Sequence, residues 1–405
     1  MTTMAAPATL REATSRATNL FRLIARMRRW LIVAGLAAVV VATLQRGVFS
    51  NTHTTFPIFR QSYHHLVAGS DLYAMYPGEQ GSAPADRFKY SPTAALLFGP
   101  FAIVPSVLGL LLWNLLNATA LFLALNLLLR RRAATIAMAV TLPFLVHSLQ
   151  SSSSNGLVAA LIIFAFVAIE RGSRWGGATL VALGALIKLF PIAALTFALF
   201  QPKRWKFAGA FAVVFVALLA MPLLITPAHT LLAQYASWRT MVLSDEVDLT
   251  FGLSVMRGLR VYLGLGIPNW PLQAIGTALL VLPLALHRER WHEANFRRLF
   301  LSSVLVFCVV FNHQAEHQSF VIAAAGMGIW YATSQRTVRH TVMLVLALVG
   351  IETLPFVLIW MSMQADLIWW PPRHERKAAP GTESDPFILG VPSAAILQSR
   401  AEALP

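Results

Sequence analysis

The sequence predicts an all-α protein: a polytopic transmembrane helical bundle. Of its 405 residues, 57% are hydrophobic and 12% are charged, whereas soluble domains average about 45–50% and about 25%. Apolar runs recur along the chain, and basic residues cluster in short segments at their ends. Since one crossing takes about 20 apolar residues, roughly nine to eleven spans fit, together with re-entrant or half helices.

The positive charge is interpreted as an orientation signal, although the formal net charge is +15. Lys and Arg residues beside membrane spans mark the cytoplasmic side. Arg22, Arg26, Arg28 and Arg29 precede the first span and therefore place the N-terminus in the cytoplasm. We expect membrane lipids, and no nucleic acid, among the partners. Because Cys308 is the single cysteine, the chain forms no internal disulfide and no cysteine metal site.

Three segments are predicted from composition. Residues 1–29 form a basic cytoplasmic N-terminal segment, and residues 30–370 form a single transmembrane domain. Residues 371–405 are Pro-rich and charged, and we expect a poorly ordered C-terminal tail. Two polar stretches, 50–91 and 227–270, are predicted as long loops on the external face.

A polar hairpin tip at residues 312–318 is the first candidate site. Six of its seven side chains are polar, and they include Asn312, His313, Glu316 and His317. Imidazole and carboxylate groups together perform general acid–base chemistry near neutral pH. A hairpin turn needs polar residues for solvation alone, but this density favours a catalytic role. The H-E-x-x-H pattern is missing, so we expect no metal and no cofactor.

The stretch 50–91 holds side chains suited to a substrate: candidate bases, aromatic faces and cations. They are His53, Asp71, Tyr73, Tyr90, Arg87 and Lys89. Aromatic faces stack on sugars or lipid head groups, and the two cations suit a phosphate. The alternative is an interfacial amphipathic helix, in which Phe59, Tyr63 and Leu66 share one face, followed by an ordinary solvated loop.

Lys188 lies inside the apolar run 176–199, where a charge is costly and usually faces a cavity or a partner. Snorkelling to the nearer interface is the alternative. Pro191 follows closely and basic residues flank the run on both sides. This pattern favours a broken helix pair that enters the membrane and returns. In the second polar stretch, Asp245 is a candidate for substrate binding, with a solvated loop as the alternative.

Six short motifs follow one another along the chain: Phe56-Pro-Ile-Phe59, Gly69-Ser-Asp71-Leu-Tyr73, Phe88-Lys-Tyr90-Ser-Pro92, Lys188-Leu-Phe-Pro191, Gly252-Leu-Ser-Val-Met256 and Phe311-Asn-His-Gln-Ala-Glu316. Taken in this order, they resemble glycosyltransferase family 87 over residues 30–370. The resemblance implies a membrane hexosyltransferase with the C-type glycosyltransferase fold, located in the bacterial cytoplasmic membrane. It further implies an inverting transfer of a sugar, often mannose, from a polyprenyl-phosphate-linked donor to a lipid or glycan acceptor on the external face.

One position departs from the family pattern. The family has an aspartate, proposed as the catalytic base, just before the Phe-x-x-Phe motif, and this chain has Thr55 there. A threonine hydroxyl is no general base. Either His53, Asp71, Glu316 or His317 replaces it, or the protein is a catalytically inactive binder of the polyprenyl-phosphate carrier, or a transporter.

Overall fold

The chain folds into a bundle of α-helices. The computed structural model describes residues 8–50, 55–79, 86–247, 252–334, 337–350 and 353–369. Within these residues the regular structure is helical, which confirms the predicted class. His53 and the predicted tail 371–405 lie outside the described residues.

The helices are numbered along the chain. The first eight are α1 (Ala8–Leu44), α2 (Thr55–Ala68), α3 (Pro92–Leu97), α4 (Gly99–Ala102), α5 (Ser106–Leu128), α6 (Arg131–Gln150), α7 (Asn155–Glu170) and α8 (Arg174–Ile187). The others are α9 (Arg204–Ala220), α10 (Ala228–Val247), α11 (Val255–Leu263), α12 (Asn269–Leu286), α13 (Ala294–Val310), α14 (Phe320–Thr333), α15 (Val338–Val349) and α16 (Thr353–Ile368). A 3₁₀ segment, Phe190–Phe200, separates α8 from α9.

Five helical segments are long and apolar enough to cross a membrane. They are Leu23–Phe49, Ser106–Leu128, Arg131–Gln150, Arg204–Leu224 and Asn269–Leu286. The shorter apolar helices α7, α8 and α16 pack against them, and α15 packs against α14 and α16. The polytopic membrane character is therefore confirmed, and the count of nine to eleven spans stays a prediction.

The centre of the bundle is formed by α13 and α14, which pack against each other and against α6, α7 and α16. Phe296, Phe300, Phe320 and Trp330 are each less than 2% exposed. Because α14 is apolar all round, burial on every side is its stable position. In contrast, α9 exposes side chains such as Val213 to the surroundings, as expected of a helix that faces lipid.

Two glycines let α14 approach its neighbours closely. A Cβ atom at Gly326 would lie 2.6 Å from the carbonyl oxygen of Ser302 in α13, and one at Gly328 would lie 3.0 Å from that of Ala137 in α6. Small residues permit such backbone contact between membrane helices, where dispersion forces replace the hydrophobic effect. Close packing of the core therefore depends on these glycines, which have no side chain, as well as on large apolar residues.

The segment 174–203 forms a hairpin that begins and ends on one face of the bundle. Its first leg is α8, with 14 residues, or about 21 Å. Its second leg is the 11-residue 3₁₀ segment, or about 22 Å. Each leg is shorter than the roughly 30 Å of a bilayer core. Gln201 Nε2 donates to the carbonyl oxygen of Ile169 (3.2 Å), which ties the returning end to α7 beside the start of α8.

The face that carries both ends of this hairpin is called the basic face. It is defined by the exposed residues Arg171, Arg174, Lys203, Arg204 and Lys206. Lys188, at the hairpin tip, lies at the opposite side of the bundle. The structure therefore has the in-and-back path that the sequence favours for 176–199.

A buried ion pair closes the bundle at the basic face. Arg297 Nε and Nη2 donate to Glu170 Oε1 and Oε2, each over 2.7 Å, and Arg297 Nη1 donates to the carbonyl oxygen of Trp291 (2.9 Å). The side chains of Glu170 and Arg297 are 3% and 10% exposed. This bidentate contact joins the end of α7 to the start of α13.

Arg297→Met is expected to lower the free energy of unfolding by about 3–5 kcal/mol, because it leaves the Glu170 carboxylate buried and uncompensated. In detergent this corresponds to a melting temperature lower by about 4–6 °C. Arg171→Met, at an exposed position next to Glu170, is the matched control and should change little. An equal loss in both variants would contradict a specific role for the pair, whereas Glu170→Gln added to Arg297→Met should restore part of the stability.

Candidate active site

A cavity of about 360 Å³ lies at the bundle end opposite the basic face. Its walls come from the start of α2, residues 86–90, the start of α7, the hairpin tip, α10 and the loop 312–318. No single stretch of sequence encodes it. Each wall is held by hydrogen bonds to a neighbouring wall.

The segment 86–90 is fixed at its C-terminal end by several hydrogen bonds. Ser91 Oγ donates to the carbonyl oxygen of Leu186 at the end of α8 (2.7 Å) and also caps the N-terminus of α3. Tyr73 Oη donates to the carbonyl oxygen of Tyr90 (2.8 Å), and Trp238 Nε1 donates to that of Lys89 (3.3 Å). These bonds hold Lys89 and Tyr90 at the cavity wall.

The hairpin delivers Lys188 to the cavity. Its Nζ donates to Asn155 Oδ1 over 2.7 Å and lies 5.9 Å from the centroid of the Tyr90 ring. Because α8 ends at Ile187, Lys188 has extended backbone and its side chain leaves the helix axis. The ammonium group of Lys188 is therefore stabilised by the Asn155 amide oxygen and by the nearby Tyr90 ring.

Asn155, the first residue of α7, joins three walls. Its Oδ1 accepts from Lys188, and its Nδ2 donates to Ser153 Oγ (3.1 Å) and to the carbonyl oxygen of Gln318 (2.9 Å). The preceding turn includes Ser152, with φ of +52°. A non-glycine residue in this region stores strain, which proteins retain where the surrounding structure determines a functional conformation.

The loop 312–318 is braced against the residues that precede α11. Leu253 N donates to the carbonyl oxygen of Ala315 (2.6 Å). Gly252 has φ of +92°, and any Cβ there would overlap the carbonyl oxygen of His313. Only glycine fits this position. His313 Nδ1 lies 3.0 Å from Gln273 Nε2 of α12, which orients the imidazole at the cavity.

Glu316 is oriented by its own turn. Its carboxylate accepts a hydrogen bond from the backbone N–H of Ser319, and its own N–H donates to Ser319 Oγ (3.2 Å). Burial raises the pKa of Glu316, and Asp86 adds to this effect, while Lys188, Lys89 and His317 oppose it. Burial dominates, so this carboxyl group holds a proton more readily than an exposed glutamate.

The cavity has an excess of positive charge. Its cations are Arg87, Lys89, Lys188 and Arg239, and its carboxylates are Asp86 and Glu316. Such a lining attracts an anion and still offers a group that can accept a proton. No three His, Cys, Asp or Glu side chains of the described residues come together in a group able to hold a metal ion.

Seven of the residues singled out from the sequence line this cavity. They are Arg87, Lys89, Tyr90, Lys188, Asn312, His313 and Glu316. Four others do not stand in its described lining. His317 is exposed beside His147, with ring centroids 6.0 Å apart. Asp71 Oδ2 accepts from Ser237 Oγ (3.0 Å), and Tyr73 is buried beneath Tyr90. Asp245 belongs to α10, but its side chain is outside the description.

The stretch 227–270, predicted as a loop, is largely helical, since it contains both α10 and α11. Residues 228–247 form α10, whose Trp238, Arg239 and Met241 line the cavity. The apolar residues of α10 do not concentrate on one face, so the usual periodic signal of a helix is missing.

Asn155 is a further site residue that the sequence does not predict, since its partners are distant in sequence. In the first polar stretch, α2 confirms the amphipathic helix, with Phe59 and Leu66 buried.

Thr55 lines the cavity at the start of α2. Its Oγ1 donates to the carbonyl oxygen of Ser151 (2.8 Å), and its N–H points to the same oxygen (3.2 Å). The hydroxyl proton is therefore engaged by the strained turn before α7. The position that differs from the family pattern thus has a structural role here.

The fold and the cavity define a class: a polytopic membrane protein with a positively charged cavity at one end of its helical bundle. The model of glycosyltransferase family 87 matches residues 88–311, more than half of the chain, and the chain belongs to that family. It is a membrane glycosyltransferase by family. The motifs around Phe88, Lys188 and Gly252 fall inside the match, whereas Thr55 and Glu316 lie outside it. No curated protein matches the chain.

Proposed function

We propose that this protein transfers a hexose, with mannose as the first candidate, from a polyprenyl-phosphate-linked donor to a lipid or glycan acceptor. One observation carries the proposal: four cations and the half-buried Glu316 carboxylate line the same cavity at one end of the helical bundle. A phosphodiester-linked sugar needs the cations for its phosphate, and an acceptor hydroxyl needs the carboxylate.

The phosphate is held by Lys188, Lys89 and Arg87. Lys188 and Lys89 approach the cavity from different walls, and Arg87 Nη2 also donates to Ser244 Oγ of α10 (3.3 Å). Charge-assisted hydrogen bonds from several directions suit a tetrahedral phosphate group. The same cations stabilise the negative charge that grows on the leaving phosphate as its bond to the sugar breaks.

Glu316 is the proposed general base, in place of the aspartate that the family has at Thr55. Its carboxylate takes the proton of the acceptor hydroxyl while the acceptor oxygen forms a bond to the anomeric carbon. The bond between that carbon and the phosphate oxygen breaks, and its electron pair leaves with polyprenyl phosphate. Attack opposite the leaving group inverts the anomeric configuration. The products are the glycosylated acceptor, polyprenyl phosphate and protonated Glu316.

The apolar part of the cavity fits a polyprenyl chain. Leu189 at the hairpin tip and Leu243 on α10 line the cavity, yet are 55% and 56% exposed. Apolar side chains that face both a cavity and the surroundings give a lipid tail a route between them. The positive-inside rule places the basic face in the cytoplasm, so this site opens on the external side of the cytoplasmic membrane.

A donor panel tests the proposal. Purified protein in lipid vesicles is incubated with polyprenyl-phosphate-linked mannose, glucose or galactose and a lipid extract from the producing cell. Transfer from at least one lipid-linked donor, and none from the corresponding nucleotide sugars, is the expected result. Transfer from nucleotide sugars alone would overturn the proposed donor class.

A non-catalytic carrier-binding protein, or a transporter, is the second candidate. Thr55 favours it, because its hydroxyl already donates to Ser151 and offers no base. This candidate gives saturable binding of polyprenyl phosphate without turnover of any donor in the panel. Binding and turnover measured on the same preparation therefore separate the two functions.

A further inference from the structure

A second cavity, of about 550 Å³, lies at the basic face, where the hairpin begins and ends. Its polar lining comes from Ser173, Arg174, Gln201 and Lys203. Its apolar wall includes Ile169 and Phe207. The two legs of the hairpin separate it from the candidate active site, so the proposed reaction makes no use of it.

The charge of this second cavity is uncompensated. Its lining has two cations and no carboxylate. Glu170, the nearest carboxylate along the chain, is bound to Arg297. Among the described residues, no acidic side chain pairs with Arg174 or Lys203. Two cations that line one cleft, near the two ends of one hairpin, favour the binding of an anion.

The surroundings of the cavity indicate a lipid as the source of that anion. Trp175 lines the cavity and is 52% exposed, and Trp205, near the start of α9, is 80% exposed. Indole side chains concentrate at the level of lipid head groups. The Arg174 guanidinium lies 5.9 Å from the Trp175 ring, so charge and aromatic surface meet at one point. The cavity also opens next to α9, a helix that turns apolar side chains such as Val216 outward.

We propose that this cavity binds the phosphate head group of an anionic phospholipid, held between Arg174 and Lys203. The lipid lies in the leaflet that contacts the basic face, opposite the leaflet of the proposed donor. Its acyl chains run along α9, and its head group bridges the two ends of the hairpin. The inference stands whether or not the proposed transfer reaction is correct.

Native mass spectrometry of the detergent-purified full chain tests this site, with dioleoylphosphatidylglycerol as the probe. Arg174→Gln with Lys203→Gln removes the two cavity cations and is expected to weaken binding of the tightest phosphatidylglycerol by about 30-fold. The matched control is Arg171→Gln with Arg204→Gln, which removes two charges from the same face outside the cavity lining. It should stay within about threefold of the parent protein.

Two further measurements exclude other occupants. Dioleoylphosphatidylcholine, which carries no net charge, should bind every variant weakly, and glycerol phosphate should not displace the lipid. Equal losses in both double variants would overturn the proposal, because they would reflect diffuse surface charge. Displacement by glycerol phosphate would also overturn it, because a soluble anion would then be the ligand. If the double variant fails to fold, the two single substitutions should each weaken binding about fivefold.

Discussion

Replacing Glu316 with glutamine is expected to lower turnover of the lipid-linked donor by about 10²–10⁴-fold, the usual contribution of a general base. The amide keeps the size of the side chain and accepts the Ser319 N–H, but it takes no proton from the acceptor. Since the donor phosphate is held by cations on other walls, its binding should change by no more than about threefold. Single-turnover rates and donor binding, measured separately, check both parts.

The other candidates provide the comparison. Asp86 lines the cavity at its exposed rim, where its Oδ1 accepts from Arg87 N over 2.8 Å. Asp86→Asn should therefore cost less than Glu316→Gln, and so should His317→Ala, since His317 is exposed beside His147. If either variant lost more turnover than Glu316→Gln, the substituted residue would be the better candidate for the general base, and the assignment to Glu316 would be rejected.

The pH profile gives an independent check of the same role. Only the deprotonated carboxylate accepts a proton, so the rate rises with pH through the pKa of Glu316. Burial raises this pKa above its ordinary value of 4.5, and the ascending limb should lie correspondingly higher. Raised pKa also means that folding favours the protonated form, so this group's contribution to stability is present at low pH and is lost as pH rises through the folded-state pKa. Glu316→Gln should remove the limb.

Lys188→Met is expected to weaken binding of polyprenyl phosphate by about 10–100-fold, the loss of one hydrogen bond to a charged group. Methionine keeps the length and apolar stem of lysine but removes the charge and the donor to Asn155. Equilibrium binding of polyprenyl phosphate measures the effect without depending on turnover. Raised salt should weaken binding to the parent protein more than to this variant.

Lys206→Met is the matched control, because Lys206 is exposed on the basic face. It removes the same charge far from the cavity and should leave polyprenyl phosphate binding unchanged. An equal loss in both variants would show that total charge, and not the hairpin tip, governs affinity. Retained binding in Lys188→Met would remove Lys188 from the phosphate site.

The sequence alone suggests that Lys188 faces a cavity, because a charged side chain exposed to lipid is energetically costly. The sequence does not predict the orientation of the 312–318 tip. Glu316 has extended backbone, with φ of −118° and ψ of 170°. Successive side chains in extended backbone point to opposite sides, so Glu316 faces the cavity and His317 faces α6. Residue spacing along the chain does not reveal this choice, because it depends on backbone angles set by Ser319 and by the bracing at Leu253.

The parts that sequence reasoning missed share one physical cause. Asn155 acts through Lys188 and Gln318, which reach it only in the folded bundle. The helix α10 has mixed composition without an apolar face, because part of its surface packs, part lines a cavity and part meets solvent. Long apolar helices such as α5 and α6 were predictable, because the bilayer alone determines their length.

The hairpin that ends at Lys188 also sets an order of assembly during biosynthesis. Because the hairpin enters and leaves on the same side, it does not change the orientation of the helices that follow it. It also forms no complete membrane span that would be stable alone in the lipid. Its 3₁₀ leg and its lysine tolerate the membrane interior only when protein surrounds them. That surround includes α13, whose Cys308 thiol lies 3.5 Å from the Phe190 carbonyl oxygen. We therefore expect the hairpin to reach its final depth only after synthesis has passed α13, more than a hundred residues later.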